Sequence, residues 1–174
     1  MRDIDEAIDL ESHRAKWATD FALERERLRT SLTVDLDNIE HIGSTAVPGL
    51  EAKPIIDIML GLSRYPPLDV ASVQLAALGY EALGEAGVPG RTYFRLRGNR
   101  SINLHVVELG ASHWVRNLAL RDYLRNSALA REKYARAKRA ALASGKETLL
   151  AYSAAKSPII AALLSEAGVL DHDG

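Results

Sequence analysis

Residues 12–32 carry Trp17, Phe21, Leu28 and Leu32 at helical spacing, with Arg and Glu between them. This predicts an amphipathic helix that Ser12 can cap. The period then changes. Asn38–Ile42 alternates and ends at Gly43-Ser44, a strand running into a glycine turn, and Pro48-Gly49 marks a second turn. Residues 54–60, PIIDIML, are an apolar run broken by one Asp, the pattern of a buried central strand with a single carboxylate.

Further on, 68–78 reads as a helix stopped by Gly79, Tyr80–Leu83 as a short strand and 84–90 (GEAGVPG) as a glycine-rich loop. Thr92–Arg97 and Ser101–Glu108 are two strands joined at Gly98-Asn99, residues that accept positive φ in a hairpin. From Ser112 on the pattern is helical, over 112–126, 128–143 and 147–166. The predicted class is α/β (α+β): a mixed sheet of about five strands, one crossover helix and flanking helices, ending in a helical C-terminal third. We expect one domain over 1–174, with the sheet core at about 36–110 and the helical part at about 112–166.

Composition narrows the function. The chain has 174 residues, 47% of them hydrophobic and 26% charged, enough for a real core and unlike a disordered segment. A formal charge of −1 disfavours a globally basic nucleic-acid binder. The absence of cysteine removes disulfides, zinc–thiolate sites, iron–sulfur clusters and thiol catalysis. The opening MRDIDEAIDL is unlike a signal peptide and no apolar run approaches a membrane span, so a cytoplasmic protein without a membrane partner is expected. The charge is unevenly spread: residues 1–60 hold seven Lys/Arg against 13 Asp/Glu, and the remainder 15 against 10. Arg91, Arg95, Arg97 and Arg100 fall within one ten-residue stretch. Such separation orients an anionic ligand or reflects solvated helix faces.

The richest chemistry lies in 41–57, HIGSTAVPGLEAKPIID. The small Gly43-Ser44 pair lets a backbone approach a ligand closely, Ser44 and Thr45 add hydroxyls, and Lys53 adds a cation. Asp57 on the next strand is costly to bury unless it has a use. Together these read as a phosphate cradle facing a metal-binding carboxylate. The plainer alternative is a turn followed by a buried strand. No Walker A pattern is present.

The run HIGSTAVPGLEAKPIIDIMLGL, the later NLHVVE, LRDYLR and AYSAAKSP together resemble the GrpB family, over about residues 36–162. That family is similar to the nucleotidyltransferase superfamily, whose fold is shared with DNA polymerase β, and some members are fused to dephospho-coenzyme A kinase. The resemblance implies a mixed sheet flanked by helices, with Gly43-Ser44 as the glycine–serine signature and Asp57, 14 positions later, as the first metal-binding carboxylate. This sequence departs from the active pattern. The Asp-hydrophobic-acid triplet is Asp57-Ile58-Met59, so the second acid is a methionine. The third slot falls to His105, because Leu104 and Val106 belong to the core face and Glu108 reaches the cleft only through a bulge. At most one weakly held Mg²⁺ is expected, at Asp57 and with a phosphate ligand supplying oxygens; otherwise no cofactor.

Other candidates carry alternatives. His41 either donates into the cleft or is hydrogen-bonded within the sheet. Arg91 and Arg95 share a strand face and either clamp an anion or blunt an exposed edge. Tyr152 and Lys156, four apart on the last helix, project together over the cleft, or Lys156 is solvated. Arg121-Asp122 reads as an interhelical pair, His113 and Trp114 as cap and packing, and Arg131–Arg139 as a solvated helix face. Two functions stand. The first is a transferase of a nucleotidyl or phosphoryl-type group, with Asp57 and His105 as catalytic residues. Its substrate would be held by His41, Gly43, Ser44, Thr45, Lys53, Arg91, Arg95, Tyr152 and Lys156. The second is a non-catalytic module binding a nucleotide or other anionic small molecule. A variant of the first uses His105 for metal-independent acyl or proton transfer.

Overall fold

In the computed structural model the described residues are 9–33, 38–67, 69–146 and 148–169. The leader reading of the first residues, and the expected boundaries at 36, 68 and 147, lie outside them. The elements are α1 (Lys16–Ser31), β1 (Ile39–Ile42), a 3₁₀ turn (Ser44–Ala46), β2 (Ile56–Leu62), α2 (Asp69–Ala77), β3 (Glu81–Ala82), β4 (Arg91–Leu96) and β5 (Ile102–Glu108). Four helices follow: α3 (Ser112–Asn126), α4 (Ala128–Ala143), α5 (Leu149–Ala155) and α6 (Ser157–Glu166). The five strands form one sheet in the order β1-β2-β5-β4-β3, mixed because β2 and β5 run parallel while the other pairs are antiparallel. The expected α/β class is the one observed.

Several local expectations shift for physical reasons. Glu11 pairs with Ala52 through two backbone hydrogen bonds of 2.9 Å, which ties the chain just before the helix to the loop after β1. The first helix therefore starts at Lys16, and Ser12 does not cap it. The apolar run becomes strand only at Ile56, after a turn in which Ile55 N donates to Lys53 O at 2.8 Å. The hairpin at Gly98-Asn99 uses positive φ only at Gly98 (139°). The expected last helix is two: Lys156 ends α5 and starts α6, and Pro158 in the first turn of α6 cannot supply the N–H that a continuous helix needs.

Strand parity divides the sheet into two faces. Ile56, Ile58 and Leu60 of β2 and Ile102, Leu104 and Val106 of β5 are all buried on one face, against Trp17 and Leu28 of α1. Each such side chain contributes about 1.5–3 kcal/mol by leaving water, so this face carries the fold. On the other face Met59, Ile42 and Val107 form a smaller apolar cluster packed by Trp114 and Leu118 of α3. Gly61 permits that approach: a Cβ there would lie 2.7 Å from the Trp114 ring. A third cluster joins Val47 and Leu50 to Leu124, Tyr134 and Leu163, so α4, α6 and the C-terminal end of α3 are braced on the loop after β1. The polar part of the second face is thereby left open beneath them.

Candidate functional site

The strand register assembles that polar part. Asp57 pairs with Asn103 across β2 and β5, Tyr93 with His105 and Arg95 with Asn103 across β4 and β5. Over these residues lies a cavity of about 590 Å³. Asp57, His105, Arg91 and Lys53 line its floor, with Arg121 of α3 and Lys156 at the α5–α6 junction. Its outer wall is apolar, including Val88 of the 84–90 loop, Leu120, Leu150 and Ile160. A recess of about 50 Å³ shares Gly43, Lys53, Asp57, Tyr134 and Lys156 with it and extends to Ser44, Thr45 and Tyr152.

Gly43 closes the wall beside Asp57 in a way no other residue allows. Its φ is 70°, and a Cβ would meet Asp57 Oδ2 at 2.8 Å. The Asp57 carboxylate is fully engaged: Oδ1 accepts from Asn103 Nδ2 at 2.8 Å and from His105 Nε2 at 3.3 Å, and Oδ2 from Lys53 Nζ at 3.2 Å. Burial alone would raise its pKa, but the Lys53 charge and the His105 and Asn103 hydrogen bonds overturn this and hold it below the usual carboxylate range.

Arg91 lies 4.7 Å above the Tyr93 ring and donates to His105 Nδ1 at 3.3 Å and to the carbonyls of Glu85 and Ala86 at 3.1 and 3.2 Å. A guanidinium only donates, so Nδ1 accepts and the imidazole proton sits on Nε2, facing Asp57. Burial also pushes His105 down, consistent with a neutral ring. Tyr93 in turn donates to Asn103 Oδ1 at 2.7 Å, which orients the amide toward Asp57. Lys156 Nζ lies 4.4 Å over the Tyr152 ring, and burial lowers it to about 8.

Asp57, His105, Gly43, Ser44, Thr45, Lys53, Arg91, Tyr152 and Lys156 thus surround one pair of adjoining spaces. Two expected members do not line them. His41 lies on the opposite face of β1, hydrogen-bonded to Thr45 Oγ1 at 2.9 Å and stacked on Phe21 at 4.7 Å. Its parity follows Ile58, so it faces α1. Burial pushes it down to about 4, leaving it uncharged at neutral pH. Arg95 shares the face of Arg91 but is itself buried beneath the cavity floor, donating to Leu96 O. The edge-strand alternative fails for Arg95, which β3 pairs on its outer side, while Arg91 lies beyond β3 with its guanidinium lining the cavity.

The profile of the GrpB protein family matches residues 7–166. The chain belongs to the GrpB family. It is similar to a UPF0157 protein of Streptomyces coelicolor, 38% identical over 92% of this chain and 84% of that protein. The UPF0157 protein YqkA of Bacillus subtilis is 34% identical over 83% of this chain, a match that spans only 43% of YqkA. The crystal structure of GrpB from Enterococcus faecalis superposes with a TM-score of 0.78 at 28% identity, covering 91% of this chain and 98% of that one.

In this GrpB protein three contributors escaped the sequence pattern. Arg121 bonds its neighbour Asp122 but also Glu40 of β1 at 2.6 Å and His41 O at 3.2 Å, tying helix to strand rather than helix to helix. Tyr134 and Lys138, inside the supposed solvated face, are buried. Lys138 donates to Ser44 Oγ at 3.3 Å and to Glu51 O. The buried positions 134, 138 and 141 share one face of α4, a face that the sequence, charged on nearly every side, does not single out. Glu108 is exposed and pairs in register with Leu62, so no bulge brings it round.

At the place where the resemblance puts the first metal-binding carboxylate the described lining residues hold one acid, Asp57, and a methionine stands two positions on. Met59 is enclosed in the apolar cluster under Trp114, and every Asp57 oxygen is already accepting. Among the described residues no three His, Cys, Asp or Glu side chains come together as metal ligands.

Proposed function

We propose that this protein binds an anionic small molecule, a nucleotide foremost, in the cleft between the sheet and the C-terminal helices. The observation that carries this reading is the charge of the cavity. Lys53, Arg91, Arg121 and Lys156 line it, and Asp57, itself paired with Lys53, is the one carboxylate among the described lining residues. A low-dielectric cleft lined by one sign of charge concentrates the opposite sign. The apolar outer wall supplies a place for the uncharged body of such a ligand.

A non-catalytic binding role follows more directly from these residues than two-metal group transfer, since Met59 cannot ligate a hard cation. A second reading keeps chemistry at His105. Its proton is on the Asp57 side and its Nδ1 lone pair is covered only by Arg91. An anion that draws the Arg91 guanidinium onto itself exposes Nδ1 as a proton acceptor. Among the described residues no helix is long and apolar enough to cross a membrane, and a cytoplasmic setting goes with a nucleotide ligand.

Thermal shift with nucleoside mono-, di- and triphosphates and with pyrophosphate, for wild type and Lys156→Met, tests the binding reading. Stabilisation of wild type that weakens in the variant is expected. Stabilisation by none of these compounds refutes a nucleotide ligand.

A further inference from the structure

We propose that the cleft takes the phosphate end of a di- or triphosphate on Lys53 and Lys156 without a divalent metal, the Lys53 ammonium occupying the place beside Asp57 where a cation would sit. The inference rests on the anion-binding reading above and adds the ligand class and the way its charge is met.

Three observations converge. First, Lys53 Nζ already bridges to Asp57 Oδ2 at 3.2 Å, with both side chains mostly buried, so the carboxylate's charge is matched from within the chain. Second, Asp57 is the one carboxylate among the described residues that line either space, and the Ser44 and Thr45 hydroxyls beside it are already bonded to Lys138 and His41. Asn103 Oδ1 accepts from Tyr93 at 2.7 Å, His105 presents its N–H to Asp57, and Met59 and Val107 are held in the apolar cluster. A divalent ion would have to displace Lys53 from Asp57 and would then hold one protein carboxylate, the rest of its shell coming from waters and the phosphate itself.

Third, the recess has a surplus of positive charge. Lys53 and Lys156 line it and Lys138 lies behind Ser44, while Asp57 is matched by Lys53 and the Glu51 carboxylate pairs with Arg139 at 3.0 Å. Lys156 lies over the Tyr152 ring, lines both spaces and has Asp57 as the opposite charge acting on it. Burial pushes Lys53 and Lys156 below the ordinary lysine value although the Asp57 charge acts to raise both. A phosphate group entering the recess supplies further negative charge. The recess has room for one small anionic group, and the larger cavity holds whatever it is attached to.

Calorimetric titration of pyrophosphate and of ATP into the full chain, once in EDTA and once in excess Mg²⁺, is the test. We expect Kd to agree within about threefold between the two conditions. Lys53→Met should weaken binding at least tenfold in EDTA and recover part of it in Mg²⁺, because the freed Asp57 oxygen then accepts the ion. Binding of wild type that appears only with Mg²⁺, or an unchanged Kd in the variant, overturns the inference while leaving the anion cleft standing. Binding of neither probe in either buffer overturns the cleft reading itself, and the inference with it. The wild-type comparison decides the point even if Lys53→Met fails to fold.

Discussion

Lys138→Met should stabilise the free protein while weakening its hold on anions. Lys138 is fully buried on α4, with its ammonium on Ser44 Oγ and the Glu51 carbonyl. Burial, and then the nearby Lys156 charge, lower it from the ordinary 10.5 to about 7. The unfolded chain therefore binds more protons than the folded one between about pH 7 and 10.5, so wild-type stability rises with pH across that window. At pH 6, below both values, the gap of about three and a half pH units corresponds to a penalty of about 5 kcal/mol in the folded state; by pH 10 it has fallen below about 1 kcal/mol. Methionine has similar length and no charge, and it gives up two hydrogen bonds worth about 1 kcal/mol each. The variant should then exceed wild type by about 3 kcal/mol at pH 6 and fall about 1 kcal/mol below it at pH 10. Urea denaturation of both proteins at pH 6, 8 and 10 measures this. A variant less stable than wild type at pH 6, or a difference that does not shrink with pH, refutes the reasoning.

Gly43→Ala should lower stability by at least about 1–2 kcal/mol, the cost of a left-handed residue with a Cβ, and more if Asp57 is displaced by the new methyl; an unchanged melting temperature would count against the geometry. Arg91→Lys should reduce pyrophosphate affinity severalfold, because the flat fork over Tyr93 is lost, whereas Arg95→Lys, beneath the floor, should mainly lower the melting temperature; equal affinity losses in calorimetry would show that both line the cleft. His41→Phe keeps the stack on Phe21 and loses the Thr45 hydrogen bond, so stability should drop by about 1 kcal/mol with ligand affinity intact. An affinity loss in that variant would place His41 in the site.

Much of the site was legible because strand parity is strict. Once PIIDIML and INLHVVE are strands with Ile58, Leu104 and Val106 inward, Asp57, Asn103 and His105 must share the other face, and Arg91 and Tyr93 follow from hairpin pairing. His41 follows the second of its two readings, a hydrogen bond within the sheet, and does not reach the cleft. Two positions before Gly43 it belongs to β1 and points to α1, whereas Gly43 has already left the strand. Lys138 was misjudged because Arg131–Arg139 is charged on nearly every side, so its sequence does not distinguish the face that α4 buries from the face it exposes.

The sequence by itself determined the strands, their faces, the hairpin and the glycine turn, because these depend on local period and on backbone freedom. It also carried the family. Tertiary structure alone decided which side of α4 turns inward, where the last helix sets Lys156, and that Arg121 reaches from α3 to Glu40, 81 residues away in sequence. Those contacts depend on how helices are braced on the loop after β1, through Val47, Leu50, Leu124 and Leu163. Apolar packing of this kind is specific in three dimensions yet nearly silent in one, since an Ala-rich helix offers several equally good faces until a partner surface selects one.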